Sequence, residues 1–458
     1  MTLTDLFAGA GGSSTGAIHV PGVEVKIAAN HWQKAVDVHN ANHPDALHVC
    51  ADLSQVNPRY FPRTDILWAS PECTNHSLAR GVRDARQPDL FGEVLPDEAA
   101  ERSRATMWDV PRFTEFHRYQ AVIVENVVEV RRWAPYEAWL QAMDSLGYEH
   151  HEVYLNSMHA QAHGLPAPQS RDRIYVVFWR RGNQRPDLEG IQAPPATCEN
   201  CGRVRAIKTW KKPHTRWGRY RAQYTYNCPR CYQVVEPDWL PAAAAIDWSL
   251  RGERIGDRTK PLAEKTRQRI AAGIARYWRE LVIEAAGNTY DASNPRHPQH
   301  GDPNAYYRAW PIEDPLRTLH TIESKALVTP AGGTWNDDAR PAQEPLRTLH
   351  TRDAYALVTR HYSGDDQSKS TPISEPLRTL TTTAQQSIIT PGDLEAAQAQ
   401  VDDCEFRMLQ PHEVAAGMAF PADYHWEGTN RERVKMAGNA VTPPAARDLI
   451  TAVVAALA

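Results

Sequence analysis

Cys73 stands in the run Ser70-Pro71-Glu72-Cys73-Thr74-Asn75-His76-Ser77, directly after the apolar segment Ile66-Leu67-Trp68-Ala69. A cysteine just beyond a short buried strand sits where open α/β sheets collect reactive groups, and its thiolate is a nucleophile. Glu125-Asn126-Val127 follows a second such strand, Ala121-Val122-Ile123-Val124, and brings a carboxyl group suited to proton transfer to the same sheet edge. Asp5-Leu6-Phe7-Ala8-Gly9-Ala10-Gly11-Gly12 makes a glycine-rich turn after a first strand, where the backbone can approach a ligand closely. Alone, an isolated cysteine is more often a small core hydrophobe. The joint occurrence of thiol, carboxyl and glycine turn reverses that weighting.

Four more cysteines form Cys198-x-x-Cys201 and Cys228-x-x-Cys231, with 26 residues between the pairs. Four thiolates at this spacing read as a structural zinc ribbon with no open coordination position. Between them lie Arg203, Arg205, Lys208, Lys211, Lys212, Arg216, Arg219 and Arg221, interleaved with Trp210, Trp217, Tyr220, Tyr224 and Tyr226. From Asn200 to Val235 there is no acidic residue, although the whole chain carries a formal charge of -4. Such a patch suits phosphate contacts and base stacking; a solvated charged face is the plainer alternative.

The elements that must position these groups follow from periodicity. Thr2 to Phe7 and Val25 to Ala29 read as strands, with helices from near Ser13 and through Ala35 to Ala41. Arg173 to Trp179 is a further strand, and the alternation predicts βαβ units around a parallel sheet. Gly182 to Pro195 reads as a linker, and Lys260 to Leu281 as an amphipathic helix. Pro315-Leu316-Arg317-Thr318-Leu319-His320-Thr321 recurs at Pro345 to Thr351 and, altered, at Pro376 to Thr382. Each copy precedes a β-branched run: Ala326 to Thr329, Ala356 to Thr359, Ser387 to Thr390. The period of 30 or 31 residues is that of a repeated supersecondary unit, in which Arg317, Arg347 and Arg378 either brace their own copies or contact nucleic acid. Hydrophobic content of 42% and charged content of 23% are those of a globular protein. No apolar run approaches the roughly 20 residues of a membrane span, and no basic-then-apolar leader opens the chain, so the expected location is cytoplasmic.

Together these segments resemble the DNA cytosine-5 methyltransferase family, bacterial or phage type. Asp5 to Gly12 is similar to its first, cofactor-binding motif, Pro71 to Ser77 to its nucleophile loop, and Glu125-Asn126-Val127 to its Glu-Asn-Val signature. Gln169-Ser170-Arg171-Asp172-Arg173 fits Gln-x-Arg-x-Arg. Arg407-Met408-Leu409 with Glu413, Phe420 and Pro421 resembles the ninth motif, and Gly438-Asn439-Ala440-Val441 the last.

The resemblance implies an α/β fold: a Rossmann-like S-adenosylmethionine-dependent domain with a mixed, mainly parallel sheet, a smaller target-recognition domain and the zinc-ribbon insertion. The expected divisions are 1–195 (catalytic, first part), 196–236 (ribbon), 237–282 (helical connection), 283–400 (target recognition) and 401–458 (hinge and returning helix). The implied activity is methyl transfer from S-adenosylmethionine to C5 of a flipped-out cytosine in double-stranded DNA. Cys73 would add to C6, Glu125 would hold N3 and the exocyclic amine, and Arg171 and Arg173 would hold O2. Asp5, Phe7, Gly9, Gly11, Gly12, Asn30, Trp32, Asp52, Pro71, Asn439 and Val441 would line the cofactor site; for Trp32 and Asp52, core packing and a helix cap are competing roles. Ser77, Arg205, Lys208, Lys211, Lys212, Arg216 and Arg219 are the DNA-contact candidates. A monomer suffices for one active site per chain, and a cognate restriction endonuclease is a partner the resemblance allows. Two departures stand out: Glu72 replaces the family's proline before the nucleophile, and Asn30 stands where an acidic residue usually binds the ribose. They leave open modification of RNA, a modified donor, or a silent DNA-binding homologue.

Overall fold

Strands β1 (Thr2–Leu6), β2 (Glu24–Asn30), β3 (Leu47–Cys50), β4 (Ile66–Ala69), β5 (Ala121–Asn126), β6 (Tyr148–Asn156) and β7 (Asp172–Arg180) form one sheet in a computed structural model of the protein. The structure describes residues 1–72, 97–277, 281–285, 290–300, 302, 305–319, 325–330, 357–360, 370–372, 386–389 and 398–458. Cys73, Ser77 and the second and third Pro-Leu-Arg copies lie outside the described residues.

The strand order is β3-β2-β1-β4-β5-β7-β6, and β7 alone runs against its neighbours, pairing Glu125 with Tyr175 and Leu155 with Arg173. The mixed, mainly parallel sheet expected from the sequence is therefore present. Side chains alternate between its two faces along each strand. Ile66 and Trp68 of β4 join one core, with Leu3, Ile123, Val153 and Val177; Leu67 and Ala69 join the other, with Leu6, Val122, Val124 and Phe178. Both faces are covered, which explains why β4 is apolar throughout. On the second face lie α3 (Asp97–His117) and α4 (Tyr136–Ser145), through Met107, Val110, Phe113, Tyr136, Trp139 and Met143.

The first face is covered by α1 (Gly12–Ile18) and by a helix from the far end of the chain, α7 (Pro443–Leu457), through Ala17, Ala445, Ala446, Leu449, Ile450 and Val453. They approach so closely that a Cβ on Gly16 would lie 2.5 Å from the Pro443 carbonyl oxygen. Among the described residues one helical stretch, Asn430–Leu457, is long and apolar enough to cross a membrane. Here it divides into α6 (Asn430–Asn439) and α7, and the latter is buried in this core. Before α6 come α5 (Pro411–Gly417) and, between β2 and β3, α2 (Gln33–Asn42). The predicted linker at 182–195 holds a single helical turn, Leu188–Ile191, because Leu188 and Ile191 anchor it in the same core.

The chain divides into two compact units. The first comprises Met1–Ala245, Pro315–Ile322 and Gln410–Ala458; the second comprises Ile246–Asp314 and Glu323–Leu409. The four-cysteine segment lies in the first unit. Its hairpin Pro195–Cys198/Gly202–Arg205 and sheet Ile207–Trp210/Tyr224–Asn227/Val234–Val235 place Ala196, Ala206, Tyr224, Tyr226 and Val235 in the core beneath α3 and α4.

In the second unit the predicted amphipathic helix spans Glu264–Tyr277, and Leu281–Glu284 is a strand, as its β-branched residues favour. The first β-branched run, within Lys325–Pro330, pairs with Leu281–Glu284 and Cys404–Met408. The second and third pair with each other, Val358 opposite Ile388. The first β-branched run thus has different strand partners from the other two.

Candidate active site

The glycine turn leaves β1 with Phe7, Gly9 and Gly11 at φ of 59°, 55° and 98°. A side chain on Gly9 would meet nothing within 4 Å, so the turn borders open space, whereas a Cβ on Gly12 would lie 2.0 Å from the Val441 carbonyl oxygen. Glycine at 9 and 11 meets the left-handed backbone, and glycine at 12 meets the returning chain. Asp5 is fully buried beneath the turn and accepts hydrogen bonds from the Ser13 and Ser14 hydroxyls at 2.6 and 2.7 Å. Burial pushes its carboxyl up to about 6, against the opposing pull of those two hydroxyls.

Behind the turn lies a cluster that the sequence reading did not single out. His39 meets the Ser14 hydroxyl at 2.9 Å and His48 at 2.8 Å; His43 meets the Thr15 hydroxyl at 3.2 Å; and the Tyr424 hydroxyl donates to the Ala10 carbonyl. The i, i+4 spacing of His39 and His43 on α2 was the available signal. Burial holds His39 well below the usual histidine value and His43 down to about 4, and it lowers His48 too. A histidine with a depressed folded pKa contributes fully above its free value of 6.5 and loses that contribution as pH falls toward the folded value. Asp5, raised from 3.8 to about 6, acts in the opposite sense over its own window, one group against three. The expected result is a urea midpoint that falls between pH 7 and pH 5; a midpoint that rises would contradict this assignment.

At the edge of β5, the Glu125 carboxylate meets the Arg173 Nε at 2.8 Å, and both side chains are 12% exposed. The antiparallel pairing of β5 with β7 creates this meeting of residues 48 positions apart. Asn126 is buried; its amide donates to the Pro71 carbonyl at 3.3 Å, and its oxygen accepts from Val127 N–H at 2.8 Å. The Glu-Asn-Val turn is therefore tied to the chain two residues before Cys73. Arg171 turns the other way. Its buried guanidinium donates to the carbonyls of Gly438 at 3.1 Å, Ala440 at 3.3 Å and Leu319 at 3.4 Å, binding the last motif and the first repeat copy to the sheet. These bonds give Arg171 a bracing role in the structure.

The other cofactor candidates are spread over the adjoining strand ends. Asn30 uses its side-chain oxygen to accept from Trp32 N–H at 2.9 Å, and the Lys435 ammonium covers the Trp32 ring at 4.8 Å. Asp52 is exposed and caps the turn after it, accepting from Ser54 N–H at 3.1 Å and the Ser54 hydroxyl at 2.6 Å; these bonds hold its carboxyl below the usual range. The competing cap role is the one seen. Asn439 is exposed at the end of α6, while Val441 is buried against the turn. Glu72 lies 3.5 Å from His31 at the end of β2.

The sulfurs of Cys198, Cys201, Cys228 and Cys231 all lie within 4.8 Å of one another. Four sulfurs about 2.3 Å from one ion form a tetrahedron with edges of about 3.8 Å, so the cluster fits a zinc-sized cation. Around it the cations are less free than composition suggests. Arg203 pairs with Asp238 at 2.7 Å, Arg219 with Glu129 at 2.6 Å and Arg221 with Glu236 at 2.7 Å, and Arg205 donates to the Gly190 carbonyl at 2.8 Å. Lys208 points inward to the Tyr154 carbonyl, with its ammonium 4.6 Å from the Tyr224 ring, and burial lowers its pKa to about 7. Lys211, Lys212 and Arg216 remain exposed on the hairpin connection, Lys211 also donating to the Arg221 carbonyl at 2.6 Å.

The chain is 29% identical over 186 residues to the Type II methyltransferase M.HhaI of Haemophilus parahaemolyticus, covering 38% of this chain and 48% of that protein. It is 26% identical over 183 residues to M1.ScrFI of Lactococcus lactis subsp. cremoris, covering 39% and 41%. The matches thus span about half the length of these relatives or less. A solved structure of Spodoptera frugiperda DNMT2, a triple mutant, aligns over 99% of both chains with a TM-score of 0.49 and 12% identity. The family model of C-5 cytosine-specific DNA methylases matches residues 1–227 and 282–455, and the chain belongs to that family.

Proposed function

We propose that the protein transfers a methyl group from S-adenosylmethionine to C5 of cytosine in duplex DNA, through a covalent bond between Cys73 and C6. The observation that carries this reading is the Glu125–Arg173 pair at the sheet edge, with Asn126 tying the same turn to Pro71. A carboxylate and a guanidinium 2.8 Å apart suit neighbouring atoms on one pyrimidine edge, N3 with the exocyclic amine and O2. Charge moves onto that edge when the thiolate adds to C6, and the two groups would meet it there. C5 then gains the methyl group, loses its proton to a base, and the Cys73–C6 bond breaks to return the thiolate. When bound, S-adenosylmethionine supplies an electrophilic methyl group. The open face of the turn at Gly9, with Phe7, Gly11 and Gly12 beside it and Asn30 and Trp32 at the next strand end, would hold it. Base flipping is required because the target atoms are stacked inside a duplex. The four clustered cysteines would hold a structural zinc ion, and Lys211, Lys212 and Arg216 would contact phosphate.

The test is mass spectrometry of nucleosides from duplex DNA incubated with S-adenosylmethionine and either the protein or its Cys73→Ala variant. The expected result is 5-methylcytosine with the former alone. Modified cytosine found only when RNA replaces the duplex, or none with either polymer, would overturn the reading.

A further inference from the structure

The four-cysteine segment reaches past its own core to the helical turn after β5 and to the start of β7. Arg219 pairs with Glu129, four residues beyond Glu125, at 2.6 Å, and the Glu129 side chain is only 10% exposed. Tyr220 N–H donates at 2.9 Å to the carboxylate of Asp172, the residue between Arg171 and Arg173. The Trp217 ring stacks under the Arg132 guanidinium at 5.3 Å, on the helical turn that carries Glu129. Tyr220 and Tyr226 enclose the ring of His159, at 4.6 and 5.1 Å. The connection that makes these contacts is shaped for them: Gly218 has φ 143° in a space already filled by Gln223, whose oxygen accepts from Arg219 N–H at 2.8 Å. Three contacts, from residues 217, 219 and 220, thus fall on the two segments whose approach brings Glu125 to Arg173.

We infer that Arg219, Glu129 and Asp172 are positioning residues through which the cysteine segment holds the Glu125–Arg173 pair in register. The inference rests on the proposed methyl transfer for its kinetic effect, but its structural half stands apart. An ion pair at a surface contributes little, yet a nearly buried Glu129 left without its cation is costly, so the turn would relax. Arg219 is also a candidate for phosphate contact, and the two roles separate cleanly. If Arg219 acts through Glu129, removing either partner does the same harm. If it acts on phosphate, removing Glu129 leaves it free to bind.

The experiment compares the full-length protein with Arg219→Ala, Glu129→Ala, the double variant and the charge swap Glu129→Arg/Arg219→Glu, after confirming equal metal content. Each single variant should lower kcat about fivefold with the Kd for DNA unchanged, the double should be no worse than either, and the swap should recover most of the loss. Hydrogen exchange at amides 126–132 should quicken about tenfold in both singles, a reading that needs no activity. Wild-type exchange and kcat in Glu129→Ala, or a salt-dependent loss of DNA affinity confined to Arg219→Ala, would overturn the inference. Quickened exchange in a protein that transfers no methyl group would instead count against the methyl-transfer reading alone.

Discussion

The Glu125→Gln protein should transfer methyl groups at least about 100-fold more slowly than wild type, while binding duplex DNA with unchanged affinity. Glutamine preserves the length of the side chain and a hydrogen-bond acceptor for Arg173, so the site keeps its shape. What it loses is a group that can carry either a proton or a negative charge, and the proposed reaction would move charge across the pyrimidine edge this carboxyl would meet. Arg173→Ala should be comparably slow for the complementary reason. Its removal leaves a carboxylate that is 12% exposed without its cation, so the protein also loses stability. Because the two act as a unit, the double variant should lie close to the worse single variant. The measurement is single-turnover transfer beside equilibrium DNA binding. A tenfold or smaller loss in Glu125→Gln would place the carboxyl outside the reaction path.

The second large effect concerns the cysteines. Cys228→Ser should purify without stoichiometric zinc and melt about 10 °C or more below wild type. The reason lies in where the cluster sits. Cys198 and Cys228 are buried with Tyr224, Tyr226 and Ala206 in the core that also holds Trp139, Phe178 and Val124. Loss of a metal held there would therefore loosen the sheet's second face rather than a detached module. Elemental analysis and calorimetry decide the matter together. A wild-type protein that holds no zinc and keeps its melting point in chelator would remove the metal from the account.

Much of this was legible from local sequence. β4 and β5 were found because strands buried on both faces are continuously apolar, and the turn at Gly9 to Gly12 because its residue types leave few alternatives. The meeting of Glu125 with Arg173 was legible only as family likeness, since antiparallel register between β5 and β7 has no local sign. Lys208 shows the opposite failing. Within a run of cations it looked like a phosphate ligand, yet its stem lies among tyrosines and its charge is spent on an inner carbonyl. Asp52 was ambiguous between ligand and cap because the two uses need the same carboxylate. The histidine cluster behind the turn went unread because His48 and Tyr424 reach it from other parts of the chain.

The Gly12 backbone packs against the Val441 carbonyl, and the Tyr424 hydroxyl reaches Ala10 across 414 positions. On a ribosome adding about 5–20 residues each second, the glycine turn would emerge on the order of half a minute before its closing partners. Until then the first face of the sheet has no α7, and the core around Leu3, Trp68 and Val177 lacks part of its cover. During that interval the nascent chain would expose apolar surface that α7 covers later, and the glycine turn would lack the Val441 carbonyl that packs against it.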